Sequence, residues 1–261
     1  MDLNLEGKRA VVCGSTQGIG KASAIELALL GASVTLVARN EKKLVAVQAE
    51  LSTSANQQHN YLVADFDRPG DVEKAANDFG AHNVVHILVN NTGGPPAGLA
   101  IDATVEDYLK AFQSHLICNQ ILTKAFVSGM KAQRFGRIIN IISTSVKTPI
   151  RGLGVSNTIR GAVANWSKTL SVELGPFGIT VNNVLPGATK TQRMESVLRE
   201  NATKTGKTVA ELEQEMIREI PAGRISEAYE VAAAVAFLAS PAASYISGIN
   251  IPVDGGRTKS L

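Results

Sequence analysis

The amino-acid sequence predicts an α/β fold: a single-domain, Rossmann-type, doubly wound parallel sheet with helices on both faces, three layers in all. Three observations predict it. Short apolar runs alternate with longer helical patterns along the chain, and strands spaced by helices pair in parallel through right-handed crossovers. The first apolar run, Ala10–Cys13, ends in Gly14-Ser15-Thr16-Gln17-Gly18-Ile19-Gly20, a glycine turn that opens the first helix. At 261 residues the chain fills one sizeable core, and no repeat, linker or low-complexity tract divides it.

The elements follow in order. In the first helix Ile19, Ala22, Ile25 and Leu29 recur at three- and four-residue spacing, and Gly31 closes it. Ser33–Ala38 is a second strand, about 41 to 53 a helix, Tyr61–Ala64 a third strand, 70 to 80 a helix and Val85–Val89 a fourth strand. One long helix is expected over 104 to 132, a fifth strand over Arg137–Ile142, a helix over 153 to 174 and a sixth strand over Ile179–Leu185. Asn250–Val253 is a short last strand, and nothing between 220 and 249 is assigned. The stretch from Lys190 to Glu219 is richest in charge and reads as a helical insertion over the site, inside one domain spanning 1–261.

Composition excludes several classes. Hydrophobic residues are 44% and charged residues 19%, ordinary for a soluble globular enzyme. The net charge of +3 and its scattered basic residues do not suit a nucleic-acid partner. Met1-Asp2-Leu3-Asn4-Leu5 lacks a basic n-region with an apolar run behind it, and no stretch of about 18 apolar residues offers a membrane span. Cys13 and Cys118 are the only cysteines, far apart in apolar segments. They are expected as buried free thiols, consistent with a reducing cytoplasm. No histidine, cysteine or carboxylate spacing suggests a metal.

The glycine turn carries chemistry. Glycines between a strand and a helix let backbone approach a pyrophosphate, and the helix N-terminus adds unpaired N–H groups and partial positive charge. The spacing G-x-x-x-G-x-G departs from the commoner G-x-G-x-x-G, but its place after the first strand is the one a dinucleotide site requires.

Four further segments point the same way: Asn90-Asn91-Thr92-Gly93-Gly94 after the fourth strand, Gly136–Ser143 along the fifth, Pro186-Gly187-Ala188-Thr189-Lys190-Thr191 after the sixth, and Val253-Asp254-Gly255-Gly256 near the C-terminus. With the glycine turn, this order resembles the short-chain dehydrogenase/reductase family, nearest its 3-oxoacyl-acyl-carrier-protein reductase type, from Leu5 to Gly256. The resemblance implies that Gly14, Gly18, Ile19 and Gly20 hold the pyrophosphate, with Ser15 and Gln17 in the same loop. It implies that Asp65, beside Phe66, meets the adenine, that Asn91 and Gly93 line the adenine ribose side, and that Pro186, Gly187 and Thr189 approach the nicotinamide. It also implies a small carbonyl or acyl substrate and a homotetramer. At the end of the second strand stand Arg39 and Asn40, where an acid would bind a ribose 2′-hydroxyl. A guanidinium suits a 2′-phosphate by charge and fork geometry, so NADP(H) is expected before NAD(H).

The family's catalytic serine, tyrosine and lysine fall on Ser143, Ser156 and Arg160. Serine is a much weaker acid than a tyrosine whose pKa a lysine has lowered, and arginine stays charged. None of Tyr61, Tyr108, Tyr229 and Tyr245 has a lysine four residues later. The family's helix asparagine falls on His115, whose near-neutral pKa makes it the titratable candidate. Ser143-Thr144-Ser145 lacks the G-x-S-x-G elbow and a placed base that a hydrolase would need. The expectation is a carbonyl oxidoreductase with an altered catalytic set, in which Ser143 and Ser156 orient the carbonyl and Arg160 stabilises the oxyanion or the nicotinamide ribose. The proton then comes from water or His115. The rival is a catalytically silent NADP(H)-binding sensor or scaffold.

Overall fold

The computed structural model describes residues 1–260. Seven parallel strands lie in the order β3-β2-β1-β4-β5-β6-β7: β1 (Arg9–Cys13), β2 (Ser33–Ala38), β3 (Asn60–Val63), β4 (Ile87–Asn90), β5 (Gly136–Ile141), β6 (Ile179–Pro186) and β7 (Asn250–Val253). This is the doubly wound sheet that the alternation of strand and helix predicts.

Both faces of the central strands are buried, so they read as continuous apolar runs. Along β1, Ala10 and Val12 enter one core with Leu27 and Leu44, while Val11 and Cys13 enter the other with Phe126 and Met130. The first core is covered by α1 (Gly18–Leu29) and α2 (Glu41–Gln48), the second by α3 (Pro69–Gly80) and, further along the chain, by α5 (Cys118–Gln133). Both cysteines are buried and unpaired, as expected. Burial pushes the Cys118 thiol up to about 12 and Cys13 beyond that, so neither is a nucleophile.

Three expectations change. The helix expected to run to 53 ends at Gln48. The long helix over 104 to 132 is broken: α4 (Val105–Phe112), opened by a Thr104–Asp107 capping box, passes through π-helical Gln113–Ile117 into α5. His115 sits in the middle of that π turn. An unassigned helix, α9 (Ala228–Ala239), packs against α1. Its sequence, AYEVAAAVAFLA, is apolar nearly all round and gives no helical period, because Val231, Val235, Leu238 and Ala239 are fully buried between α1 and the sheet. The remaining helices are α6 (Gly154–Leu174), α7 (Gln192–Thr205) and α8 (Val209–Arg218). The last two form the charged insertion after β6. Thr191 caps α7, and a Thr208–Glu211 capping box opens α8.

Candidate functional site

The order of strands reverses between β1 and β4, and the loops leaving the carboxyl ends of the strands there bound a crevice. The glycine turn forms its floor. Gly14 and Gly18 have positive φ, 58° and 55°. A Cβ on Gly14 would stand 2.6 Å from the Asn91 carbonyl oxygen, and one on Gly20 would stand 2.3 Å from that of Gly14. Only glycine fits at either position. Helix α1 opens with no side-chain cap at Gln17 and no acid in its first turn. Its first N–H groups and the positive end of its dipole are therefore presented to the crevice without an internal anion. This backbone cradle fits a dinucleotide pyrophosphate.

The neighbouring side chains hold the cradle in place. Asn91 donates through Nδ2 to the carbonyls of Cys13 (3.2 Å) and Gly14 (3.4 Å), tying the loop after β4 to the turn. Ser15 is fully buried, and its hydroxyl accepts from the Val37 N–H at 3.0 Å. Its side chain therefore pins the turn to β2, and the contribution expected of it toward a phosphate is limited to its backbone. Asn40 likewise caps α2, accepting from the Lys43 N–H at 3.0 Å. Arg39 is exposed beyond the end of β2 and enters none of the ion pairs among the described residues. Asp65 follows β3, its carboxylate accepting from the Asp67 N–H, and the Phe66 ring packs on the second core.

The other half of the crevice lies over β4, β5 and β6. Ser143 stands just past β5 and caps a short 3₁₀ turn, accepting from the Ser145 N–H at 3.1 Å. Arg160, on α6, is 8% exposed and donates through Nη1 to the Ile141 carbonyl at 3.0 Å. That bond fastens α6 to the end of β5, and Ser156 lies one turn earlier on the same face of α6 as Arg160. Asn157 closes the intervening loop through both of its amide atoms on Ile150. Burial, with the Arg193 charge adding to it, pulls Arg160 down to about 10, so the guanidinium remains a cation at neutral pH.

His115 is buried, and its Nδ1 hydrogen-bonds the Thr92 hydroxyl. Desolvation, reinforced by the Arg160 charge, holds its pKa well below the usual imidazole range. The expectation that His115 titrates near neutrality is therefore corrected: it is a neutral imidazole at pH 7, because a second cation beside Arg160 in that dry interior is unfavourable. Pro186 and Gly187 follow β6, with Gly187 packed against Asp254. Thr189 is buried and shares a hydrogen bond of 2.9 Å with Ser226. A Cβ on Gly18 would meet the Thr191 methyl at 3.2 Å, so the loop after β6 reaches across to the glycine turn. Among the described residues no three His, Cys, Asp or Glu side chains group as a metal site, and no helix is long and apolar enough to cross a membrane.

Sequence reasoning missed Thr92 and Arg193. Thr92 lay inside the Asn90–Gly94 segment but was not singled out, because a threonine hydroxyl there has no role until His115 is folded against it. Arg193 lay among the solvated charges of the insertion, and only the fold brings it onto Gly94 and Pro95.

Residues 14–258 match the family described as Enoyl-(Acyl carrier protein) reductase. The chain is 36% identical over 252 residues to the 3-oxoacyl-[acyl-carrier-protein] reductase FabG of Haemophilus influenzae, covering 97% of this chain and 98% of that one. It is 32% identical over 263 residues to the NADPH-dependent reductase BacG of Bacillus subtilis, covering 97% and 99%. Among solved structures, the L-sorbose reductase of Gluconobacter frateurii complexed with NADPH and L-sorbose superposes with a TM-score of 0.93 at 29% identity, covering 100% of both chains.

Proposed function

This chain belongs to the short-chain dehydrogenase/reductase family, and on that premise we propose that it is an NADP(H)-dependent oxidoreductase acting on a carbonyl or alcohol substrate through an altered catalytic set. The observation that carries the reading is the uncapped glycine cradle at the start of α1, with the exposed Arg39 beyond β2, in no ion pair among the described residues. The first fits a pyrophosphate and the second a ribose 2′-phosphate. NADPH in the names of BacG and of the L-sorbose reductase complex supports the same cofactor.

When bound, the nicotinamide supplies or accepts a hydride. The chain's own residues then have four tasks. Gly14, Gly18, Ile19 and Gly20, with the backbone of Ser15 and Gln17, hold the phosphates, while Arg39 and Asp65 face the adenosine end with Asn91 and Gly93 between. Pro186, Gly187 and Thr189 bound the nicotinamide end. Ser143 and Ser156 hydrogen-bond the reacting oxygen. Arg160 stabilises negative charge developing there, a fixed cation in a dry site being far more effective than in water.

Neither Ser156 nor Arg160 is a suitable acid at neutral pH. The proton for the reacting oxygen comes from water, directly or relayed through the Thr92 hydroxyl and the neutral His115 imidazole, which gives up a proton at one ring nitrogen only as it takes one from water at the other. The alternative, a cofactor-binding protein without turnover, rests on the same replacement of tyrosine and lysine. The experiment that separates them follows NADPH oxidation across a broad carbonyl panel. Cofactor binding with no oxidation of any member favours the silent protein. Turnover that falls in Ser156→Ala and in His115→Asn supports the altered set.

A further inference from the structure

Arg160 is a buried cation that enters no ion pair among the described residues. Its one hydrogen bond among the described residues, to Ile141, leaves most of its five N–H donors unmatched. Arg193, at the start of α7, reaches down to the loop after β4. Its guanidinium lies over Gly94, at 3.6 to 3.7 Å from where a Cβ would stand, and Nη2 donates to the Pro95 carbonyl. Strands β4 and β5 are adjacent, with Asn90 opposite Asn140, so the two guanidinium groups, from α6 and α7, are bonded to neighbouring chain segments just past those strands' carboxyl ends. Among the described residues neither enters an ion pair, and the carboxylates of Asp102 and Asp107 line the cavity beside Pro95 and Val155. No aspartate or glutamate occurs between Asp78 and Asp102, between Asp107 and Glu173, or between Glu173 and Glu195. Those segments supply β4, α5, β5, α6, β6 and the loops leaving β4, β5 and β6. Asp254, packed against Gly187, is already engaged by the N–H groups of Gly256 and Thr258.

Two neighbouring cations that enter no ion pair among the described residues favour an anion between them, since a buried charge is held stably only when it is paired. The cofactor phosphates are assigned to the α1 cradle and Arg39; because Thr191, two residues before Arg193, touches Gly18 of that cradle, an anion between Arg160 and Arg193 is distinguished from a cofactor phosphate by saturating the protein with NADPH first. We propose that the substrate is a carbonyl compound bearing a carboxylate, held by Arg160 from below and by Arg193 from the insertion, with its carbonyl at Ser143 and Ser156. A planar carboxylate matches the guanidinium fork, and a short spacing between the carboxylate and the carbonyl suits the single helical turn between Arg160 and Ser156.

The inference rests on the carbonyl oxidoreductase reading, and its test is made on binding so that it survives a silent protein. Protein saturated with NADPH, which fills the phosphate sites, is titrated with pyruvate and acetoacetate and with their methyl esters, followed by calorimetry and cofactor fluorescence. At least one acid is expected to bind about tenfold or more tightly than its ester, and added salt should shrink that advantage. Arg193→Ala, on an exposed side chain, is expected to abolish the preference while leaving NADPH affinity unchanged, and Arg193→Lys to restore part of it. Esters binding as well as acids, neither acid binding, or an acid-to-ester ratio unmoved by Arg193→Ala would overturn the proposal. Failure of NADPH itself to bind overturns the oxidoreductase reading along with it.

Discussion

Asn90 and Asn140 stand opposite each other in register on β4 and β5, and the Asn90 Nδ2 donates to the Asn140 Oδ1 at 2.9 Å. The ladder continues across the sheet: Asn140 donates to Asn183 at 3.0 Å and Asn183 to Asn250 at 2.8 Å. Asn140 is fully buried. It separates Ile139 and Ile141, which face the first core, so its side chain lies on the face of the second. The ladder ties together the strand ends that carry Asn91, Ser143 and Pro186. Asn140→Leu is expected to strand one buried donor and one buried acceptor on its neighbours. The cost is about 2–5 kcal/mol of stability, measured by denaturant unfolding; a loss below about 0.5 kcal/mol would show that the ladder is incidental.

Cofactor choice should turn on Arg39. NADPH should bind about ten- to a hundredfold more tightly than NADH, the range of a hydrogen-bonded charge pair. Arg39→Asp should reverse the order by placing a carboxylate where the 2′-phosphate sits. Equal affinity of the unmutated protein for both cofactors, by fluorescence titration, would refute this.

The seats of Ser156 and Arg160 should govern rate. General acid catalysis contributes about 10²–10⁴-fold, so 3-oxoacyl reduction should be weak in the native protein. Ser156→Tyr combined with Arg160→Lys should raise it, provided the acyl carbonyl reaches the ring. Arg160→Lys alone should not, because no phenol is present for it to acidify. Steady-state turnover at rates unchanged by Ser156→Ala would show that Ser156 does not hold the reacting oxygen.

His115 should leave no inflection near its ordinary pKa of about 6.5 in a rate profile, since its folded-state pKa lies well below that. Its effect belongs to stability, together with that of His86, which burial and the nearby Lys8 and Arg9 charges lower to about 4. Both groups are neutral in the folded and unfolded chain above about pH 6.5. Below it the unfolded chain takes up protons that the folded chain refuses, so stability falls with pH, for His86 down to about 4. The His86 share is roughly 3 kcal/mol at most. His86→Gln, which keeps an acceptor for the Arg9 N–H now bonded at 3.1 Å, should flatten the acid limb of a plot of unfolding free energy against pH. An unchanged limb would remove His86 as its cause.

Assembly should hide the apolar surface of α4 and α6. Val105, Leu109 and Val172 are 76%, 53% and 70% exposed in the single chain. A homotetramer, or at least a dimer, is expected by light scattering at micromolar concentration. A monomer would refute it.

By itself the sequence determined the alternation of strand and helix, and with it the parallel direction of the strands, because these rest on local apolar runs and on glycines at forced turns. Gly14, Gly18 and Gly20 were legible for the same reason. Tertiary structure decided the rest. Helix α9 has no polar face for periodicity to detect, since α1 and the sheet cover it on both sides. The four asparagines of the ladder were visible one by one inside apolar strands, but their mutual bonds exist only once parallel register brings them abreast. His115 reads from sequence as a group that titrates near neutrality, and the fold makes it a neutral one by burying it beside Arg160. Ser15 and Asn40 sit in the cofactor segments, yet their side chains are engaged by β2 and α2. Desolvation and hydrogen-bond partnership belong to the surroundings of a side chain, and those surroundings come from residues distant in sequence.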